Sequence, residues 1–177
     1  MSAHLVIGGA RSGKSNFAQK LAQVHDNDVI IIVTAEILDA EMAARVDKHR
    51  AERPVHWRVI EAPFDLPQAI RNACADDSFV LVDCLTLWLS NILCTQVETL
   101  ERRMDELCEA VTQASGNLVL VSNEVGWSIV PENALARAFR DEQGRLNQRI
   151  AALCQQVTLV AAGLPLVLKN EPKKEQE

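Results

Sequence analysis

Gly8-Gly9-Ala10-Arg11-Ser12-Gly13-Lys14-Ser15 decides the fold of this chain. It completes the pattern G-x-x-x-x-G-K-S directly after an apolar run, Leu5-Val6-Ile7, and directly before a segment that carries Phe17, Ala18, Leu21, Ala22 and Val24 at helical spacing. In that strand, loop and helix setting the motif is a P-loop. Glycines at both ends let backbone N–H groups curl round an anion, Lys14 reaches toward the β- and γ-phosphates, and the Ser15 hydroxyl is a ligand for Mg²⁺. The helix that follows points its positive end at the same phosphates. A chance glycine turn is the bland alternative, and it has no need of the lysine, the serine and both flanking elements together.

Outward from the loop, Val29-Ile30-Ile31-Ile32-Val33 is a continuous β-branched run, as expected of a strand buried on both faces of a parallel sheet. Phe79-Val80-Leu81-Val82-Asp83 and Leu118-Val119-Leu120-Val121 read the same way, and His56 to Glu61 alternates as a shorter strand. Helical patterns separate them at Leu66 to Ala73, Cys84 to Leu93 and Leu100 to Ala114, which gives an α/β fold with a mostly parallel sheet flanked by helices. Such sheets bind ligands at their carboxyl edge, so Thr34-Ala35-Glu36 and Ser122-Asn123-Glu124 are expected there. Asp83 ends its strand as a Walker-B acid does, making it, with Ser15, a candidate metal residue; the alternative is a plain cap on the next helix. Glu132 to Gln156 reads as mainly helical with a soft point at Gly144, and Val157 to Val160 with Leu166 to Leu168 flank the turn at Gly163-Leu164-Pro165 as an antiparallel edge hairpin.

A further helix runs from Asp39 to the stop at Pro54, and on it Arg45, His49 and Arg53 follow at i, i+4, i+8, forming one polar stripe. Flanking arginines lower an imidazole pKa, favouring the neutral nucleophilic form, and can hold phosphate bidentately; a solvated surface histidine is the competing reading.

Composition narrows the partners. The 177 residues are 48% apolar, 24% charged and only 4% aromatic, with a net charge of −6, which suits one globular domain over residues 1–169 and argues against nucleic acid. Residues 170–177 read as a flexible tail. Five cysteines, Cys74, Cys84, Cys94, Cys108 and Cys154, form no C-x-x-C pair and are expected to be reduced core thiols. With no signal-peptide pattern and no apolar run long enough to span a bilayer, the expected location is cytoplasmic.

A P-loop by itself leaves open a small-molecule kinase, a GTPase switch or non-catalytic GTP-binding protein, and a nucleotidyl-transfer enzyme. The strand ending in Asn123-Glu124-Val125-Gly126 lacks the N-K-x-D that would read guanine in a switch, and a plain kinase has no use for the His49 stripe.

Five ordered blocks then bring one family into view. The P-loop, Ile37-Leu38-Asp39-Ala40-Glu41-Met42-Ala43-Ala44-Arg45, Arg53-Pro54-Val55-His56-Trp57-Arg58, Asn123-Glu124-Val125-Gly126 and Phe139-Arg140-Asp141-Glu142-Gln143-Gly144-Arg145-Leu146-Asn147-Gln148 closely resemble the bifunctional adenosylcobinamide kinase/adenosylcobinamide-phosphate guanylyltransferases of cobalamin synthesis. The resemblance implies a RecA-like P-loop fold and two reactions. Adenosylcobinamide is phosphorylated by ATP or GTP, and GMP from GTP is then transferred to the new phosphate through a covalent GMP–histidine. His49 is the histidine of this chain between the second and third blocks, and so inherits the catalytic role beside Lys14. The same resemblance implies that Gly8, Gly9, Ala10, Arg11, Ser12, Gly13, Lys14 and Ser15 hold the triphosphate. It puts Thr34, Ala35, Glu36, Arg50, Ala51, Glu52 and Arg53 along the nucleotide site, and Glu61 and Asp83 on the guanosine, where the family often has Glu at the latter position. It places His56 in a matching block near the site, and it implies a small homo-oligomer, a trimer.

Overall fold

The computed structural model describes residues 2–25, 28–36 and 54–171 of the chain. The stretch expected to be helical from Asp39 to Arg53, with Arg45, His49, Arg50, Ala51 and Glu52, therefore lies outside the described residues, as does most of the 170–177 tail.

Strand β1 (Ser2–Gly8) leads through the P-loop into α1 (Lys14–Gln23), and β2 (Val29–Val33) follows. After the undescribed stretch come β3 (Arg58–Glu61), α2 (Leu66–Ala73), β4 (Phe79–Asp83), α3 (Leu85–Thr95), a short 3-10 turn at Val97–Thr99 and α4 (Leu100–Gln113). Strand β5 (Asn117–Asn123), α5 (Ala134–Leu153), β6 (Gln156–Ala161) and β7 (Leu164–Asn170) complete the fold. Among the described residues the strands form one seven-stranded sheet in the order β3-β2-β4-β5-β1-β6-β7. Every pairing is parallel except β6 with β7, the hairpin expected at the edge.

Alternation along the strands explains why their sequences read as unbroken apolar runs. Ala3, Leu5, Ile30, Ile32, Val80, Val82, Leu118 and Leu120 face a core closed by Leu66, Ile70, Leu85, Trp88, Leu89, Met104, Leu107, Leu146 and Ile150 from α2, α3, α4 and α5. Their neighbours Val6, Val29, Ile31, Phe79, Leu81, Val119 and Val121 pack on the other face against Ala18 and Ala22 of α1 and against Trp57. Helix α4 covers the outside of the first core through Leu100, Met104, Leu107, Ala110 and Val111 and presents its charged residues to solvent.

Three expectations shift. Helix α5 runs unbroken through Gly144, because Gln143, Leu146, Asn147 and Ile150 anchor it to the sheet on both sides of that residue. Among the cysteines, all free, Cys84 and Cys154 are buried but Cys94 is exposed near the end of α3. His56 is exposed just before the amino end of β3, at the opposite end of that strand from Glu61. No helix among the described residues is long and apolar enough to cross a membrane.

Candidate functional site

The P-loop is built by what its glycines leave out. A Cβ on Gly8 would stand 2.4 Å from the Val160 carbonyl oxygen and 2.6 Å from Ser12 Oγ. One on Gly13, at φ +98°, would come within 3.2 Å of Gly163 Cα. The β6–β7 turn thus braces the loop from behind, with the Gly163 N–H donating to the Ser12 carbonyl at 2.8 Å. Sequence reading treated Gly163 only as a turn; its close approach to Gly13 is set by the strand order, which no local pattern reveals.

This cradle fits a phosphate chain. Helix α1 begins with no side-chain cap and no acid in its first turn, so its N-terminal positive end is not neutralised locally. Ser12 Oγ is buried with no hydrogen-bond partner among the described residues. Lys14 is buried too, and its Nζ turns back on the Gly9 carbonyl at 3.0 Å. Burial pulls the Lys14 pKa below its ordinary 10.5, with Cys84 and Asp83 pulling the other way. An ammonium held in such a place is poorly hydrated and therefore a strong partner for an incoming polyanion.

Asp83 stands near enough to this lysine for its charge to be felt there, with β5 alone lying between β4 and β1. Its place at the strand end is fixed from β2: Thr34, fully buried, donates from Oγ1 to the Cys84 carbonyl at 2.6 Å and accepts from the Cys84 N–H at 3.0 Å. The Thr34 hydroxyl is thus engaged in joining two strand ends. Burial and the neighbouring Asp83 push the Cys84 thiol up to about 11, so it stays neutral beside Lys14. Val33 is in register with both Asp83 and Glu61, which puts the two carboxylates level on either side of β2. Ala35 and Glu36, half-buried, continue from the same edge. Asn91 of α3 ties the next turn down, donating to the carbonyls of Thr34 and Pro63, each at 2.9 Å.

Strand β5 brings its end to the same place. Asn123 is in register with Gly8, and the Glu124 N–H donates to the Gly8 carbonyl at 3.0 Å. The Glu124 carboxylate accepts from the Gly126 N–H at 2.6 Å. Gly8 to Ser15, Thr34 to Glu36, Glu61, Asp83 and Asn123-Glu124 are therefore brought to one edge, as expected for a parallel sheet.

A family model described as cobinamide kinase / cobinamide phosphate guanyltransferase matches residues 4–168. A bifunctional adenosylcobalamin biosynthesis protein of Pseudomonas aeruginosa is 45% identical over 169 residues, which are 95% of this chain and 98% of that protein. Another, from Salmonella typhimurium, is 42% identical over 180 residues, with 93% and 98% covered. Among solved structures, the type III secretion ATPase EscN of enteropathogenic Escherichia coli superposes with a TM-score of 0.60 at 9% identity, over 91% of this chain and 43% of that one. The RadB recombinase does so at 0.50 and 13%, over 89% and 73%. At such identities the likeness concerns the fold alone, and that fold is RecA-like.

Proposed function

This chain belongs to the cobinamide kinase / cobinamide phosphate guanyltransferase family, and from that premise we propose that it carries out two reactions at one P-loop. It phosphorylates the aminopropanol hydroxyl of adenosylcobinamide with ATP or GTP, then moves GMP from GTP onto that phosphate. The observation that carries the reading is the convergence of a desolvated Lys14 and the strand-end Asp83 on a glycine cradle whose Ser12 hydroxyl has no partner among the described residues.

In the first reaction the loop N–H groups hold the α- and β-phosphates and Lys14 the β- and γ-phosphates while the corrinoid hydroxyl attacks the γ-phosphorus and the nucleoside diphosphate leaves, so the protein supplies position and positive charge rather than a nucleophile. Ser15 and Asp83 would hold Mg²⁺, which neutralises charge on the triphosphate. In the second reaction a neutral His49 nitrogen attacks the α-phosphorus of GTP. A P–N bond forms, the bond to the bridging oxygen breaks and pyrophosphate leaves. A phosphate oxygen of the corrinoid then attacks the same phosphorus and displaces the imidazole, giving adenosylcobinamide-GDP. Thr34, Ala35, Glu36, Arg50, Ala51, Glu52 and Arg53 would line the nucleotide, with Glu61 and Asp83 toward the guanosine.

Incubation with α-labelled GTP and Mg²⁺ should put label on the protein that brief acid releases and alkali does not. His49→Asn should lose both the label and the guanylyl transfer while keeping kinase turnover. Labelling of His49→Asn at the wild-type level would remove the histidine intermediate.

We also propose a cytoplasmic homo-oligomer, a trimer. Exposed apolar surface supports the self-association, and the family resemblance suggests the number three: Trp127 is 77% exposed and Ile129 93%, and the edge strand β7 leaves Leu164, Leu166, Val167 and Leu168 in water. A monomer mass by light scattering at micromolar concentration would overturn it.

A further inference from the structure

The peptide between Asn123 and Glu124 is held from every side. Its N–H donates to the Gly8 carbonyl at 3.0 Å, so it fixes the entry of the P-loop. Its carbonyl accepts from Asn147 Nδ2 of α5 at 3.0 Å, and the preceding N–H, that of Asn123, donates to Thr86 Oγ1 of α3 at 2.8 Å. Asn147 is fixed in turn, its Oδ1 accepting from Ser122 Oγ at 2.6 Å and from Gln143 Nε2 at 3.1 Å. Gln143 Nε2 also donates to Ser122 Oγ at 2.9 Å.

All four of these side chains are buried, and Gln143 and Asn147 share the face of α5 that carries Leu146 and Ile150 into the core. Polar groups in that position are costly. Among the described residues the network even leaves one buried acceptor, Gln143 Oε1, without a partner, a desolvation cost that an apolar side chain would not incur. Aliphatic residues there would stabilise the core at least as well, so stability alone does not account for the network. What it provides is direction: helix α5, helix α3, the end of β5 and the first glycine of the P-loop are joined in one chain of directional bonds.

We infer that Thr86, Asn147 and Gln143 are positioning residues for phosphate transfer, holding the Asn123–Glu124 peptide at a set place between the P-loop and Asp83. The inference rests on the reactions proposed above. The P-loop N–H groups wrap the α- and β-phosphates by themselves, whereas the end of β5 lies between the β1 end at Gly8 and the β4 end at Asp83 and so sets the spacing of the loop from that acid. Loosening the clamp therefore harms turnover more than nucleotide binding.

Thr86→Val keeps the volume and removes the hydroxyl, while Thr86→Ser keeps the hydroxyl. With the full-length enzyme, Thr86→Val and Asn147→Ala should lower kcat for corrinoid phosphorylation about 10- to 100-fold. Affinity for a fluorescent GTP analogue should stay within about threefold of wild type, and Thr86→Ser should restore turnover. A Thr86→Val enzyme with wild-type kcat, or one whose kcat falls only in step with its unfolded fraction, overturns the inference. If Asn147→Ala does not fold, the Thr86 pair decides. If the wild-type chain binds the GTP analogue but turns over no corrinoid, the proposed reactions fail on their own. The clamp is then judged on the same split between GTP hydrolysis and affinity.

Discussion

The two ends of the sheet are made by different means. At the amino ends most of the joining is backbone to backbone, the Ala3 N–H on Gln155 Oε1 at 2.7 Å being a side-chain exception: the Asn117 N–H donates to the Ser78 carbonyl at 3.0 Å, Ser2 N–H to Gly116 at 2.9 Å and Phe79 N–H to Asp28 at 3.1 Å. Ser78 closes its turn locally, accepting from the Ala75 N–H and donating to the Ala75 carbonyl, both at 2.8 Å. At the carboxyl ends, side chains from other elements do the joining: Thr34 onto Cys84, Asn91 onto Thr34 and Pro63, Thr86 and Asn147 onto Asn123. Turns need only fold, whereas a site must also hold a geometry. Directional bonds from buried side chains supply that at a cost in desolvation that turn closure avoids. A hollow of about 500 Å³ opens at the amino ends between Asp28, Arg58, Asn72 and Asp77, but Arg58 there is spent on Asp28 in a two-point ion pair.

The sharpest way to break this contrast is to damage each end once. Lys14→Ala removes the buried cation of the carboxyl edge and should cut both reactions by about 10²–10³-fold or more, with thermal stability little changed. Gly116→Ala strikes the other end. At φ +72° its Cβ would sit 2.2 Å from the Ala75 carbonyl oxygen, and the substitution should cost about 2–4 kcal/mol while the folded fraction keeps its turnover. Denaturant unfolding and activity per folded molecule read the two effects separately. A Gly116→Ala enzyme of full stability but low kcat would reverse the assignment of the two ends.

His4 offers a smaller effect on the site's own strand. It is buried, hydrogen-bonded to Thr158 at 2.8 Å and set edge-on to Phe17, and burial lowers its pKa from 6.5. Below pH 6.5 the unfolded chain takes up this proton before the folded one does, so stability falls with pH between 6.5 and the lowered folded value. The slope is at most about 1.4 kcal/mol per pH unit. Denaturant titrations between pH 7 and 5 should show that loss, smaller in His4→Gln. An equal loss in the variant would assign it to other groups.

What sequence made legible follows the reach of each signal. Val29 to Val33 and Phe79 to Asp83 could be read because burial on both faces leaves no polar alternation, and the P-loop because its chemistry is contiguous. The clamp was hidden for the opposite reason. Gln143 and Asn147 look like ordinary helix-surface residues until β5 is placed beneath them, where Gln143 donates to the Ser122 hydroxyl and Asn147 to the Asn123 carbonyl, a backbone acceptor that no side-chain pattern announces. Thr34 could be placed at the sheet edge by its position after β2, yet nothing local told that its hydroxyl is occupied fifty residues away, on Cys84. Cys94 shows the converse error, an apolar neighbourhood in sequence whose thiol ends in solvent because it falls on the outer face of α3, beside the buried Ile92 and Leu93.

The smallest test lies one residue from the clamp. Gly144 weakens a helix in isolation because its backbone has more freedom to lose, yet α5 passes through it from Ala134 to Leu153 without interruption. A Cβ there would meet nothing within 4 Å, so alanine fits without strain. Gly144→Ala should then gain about 0.5–1 kcal/mol, or roughly 1–4 °C in Tm for a chain of this size. Since Gln143 and Asn147 are already fixed to Ser122 by the network itself, stiffening the turn between them should leave kcat where it was. A raised Tm accompanied by a fall in kcat would instead mean that α5 must bend at Gly144 during turnover. In that case the carboxyl edge is a moving part rather than a held one, and the contrast between the two ends of the sheet would need to be drawn in terms of motion.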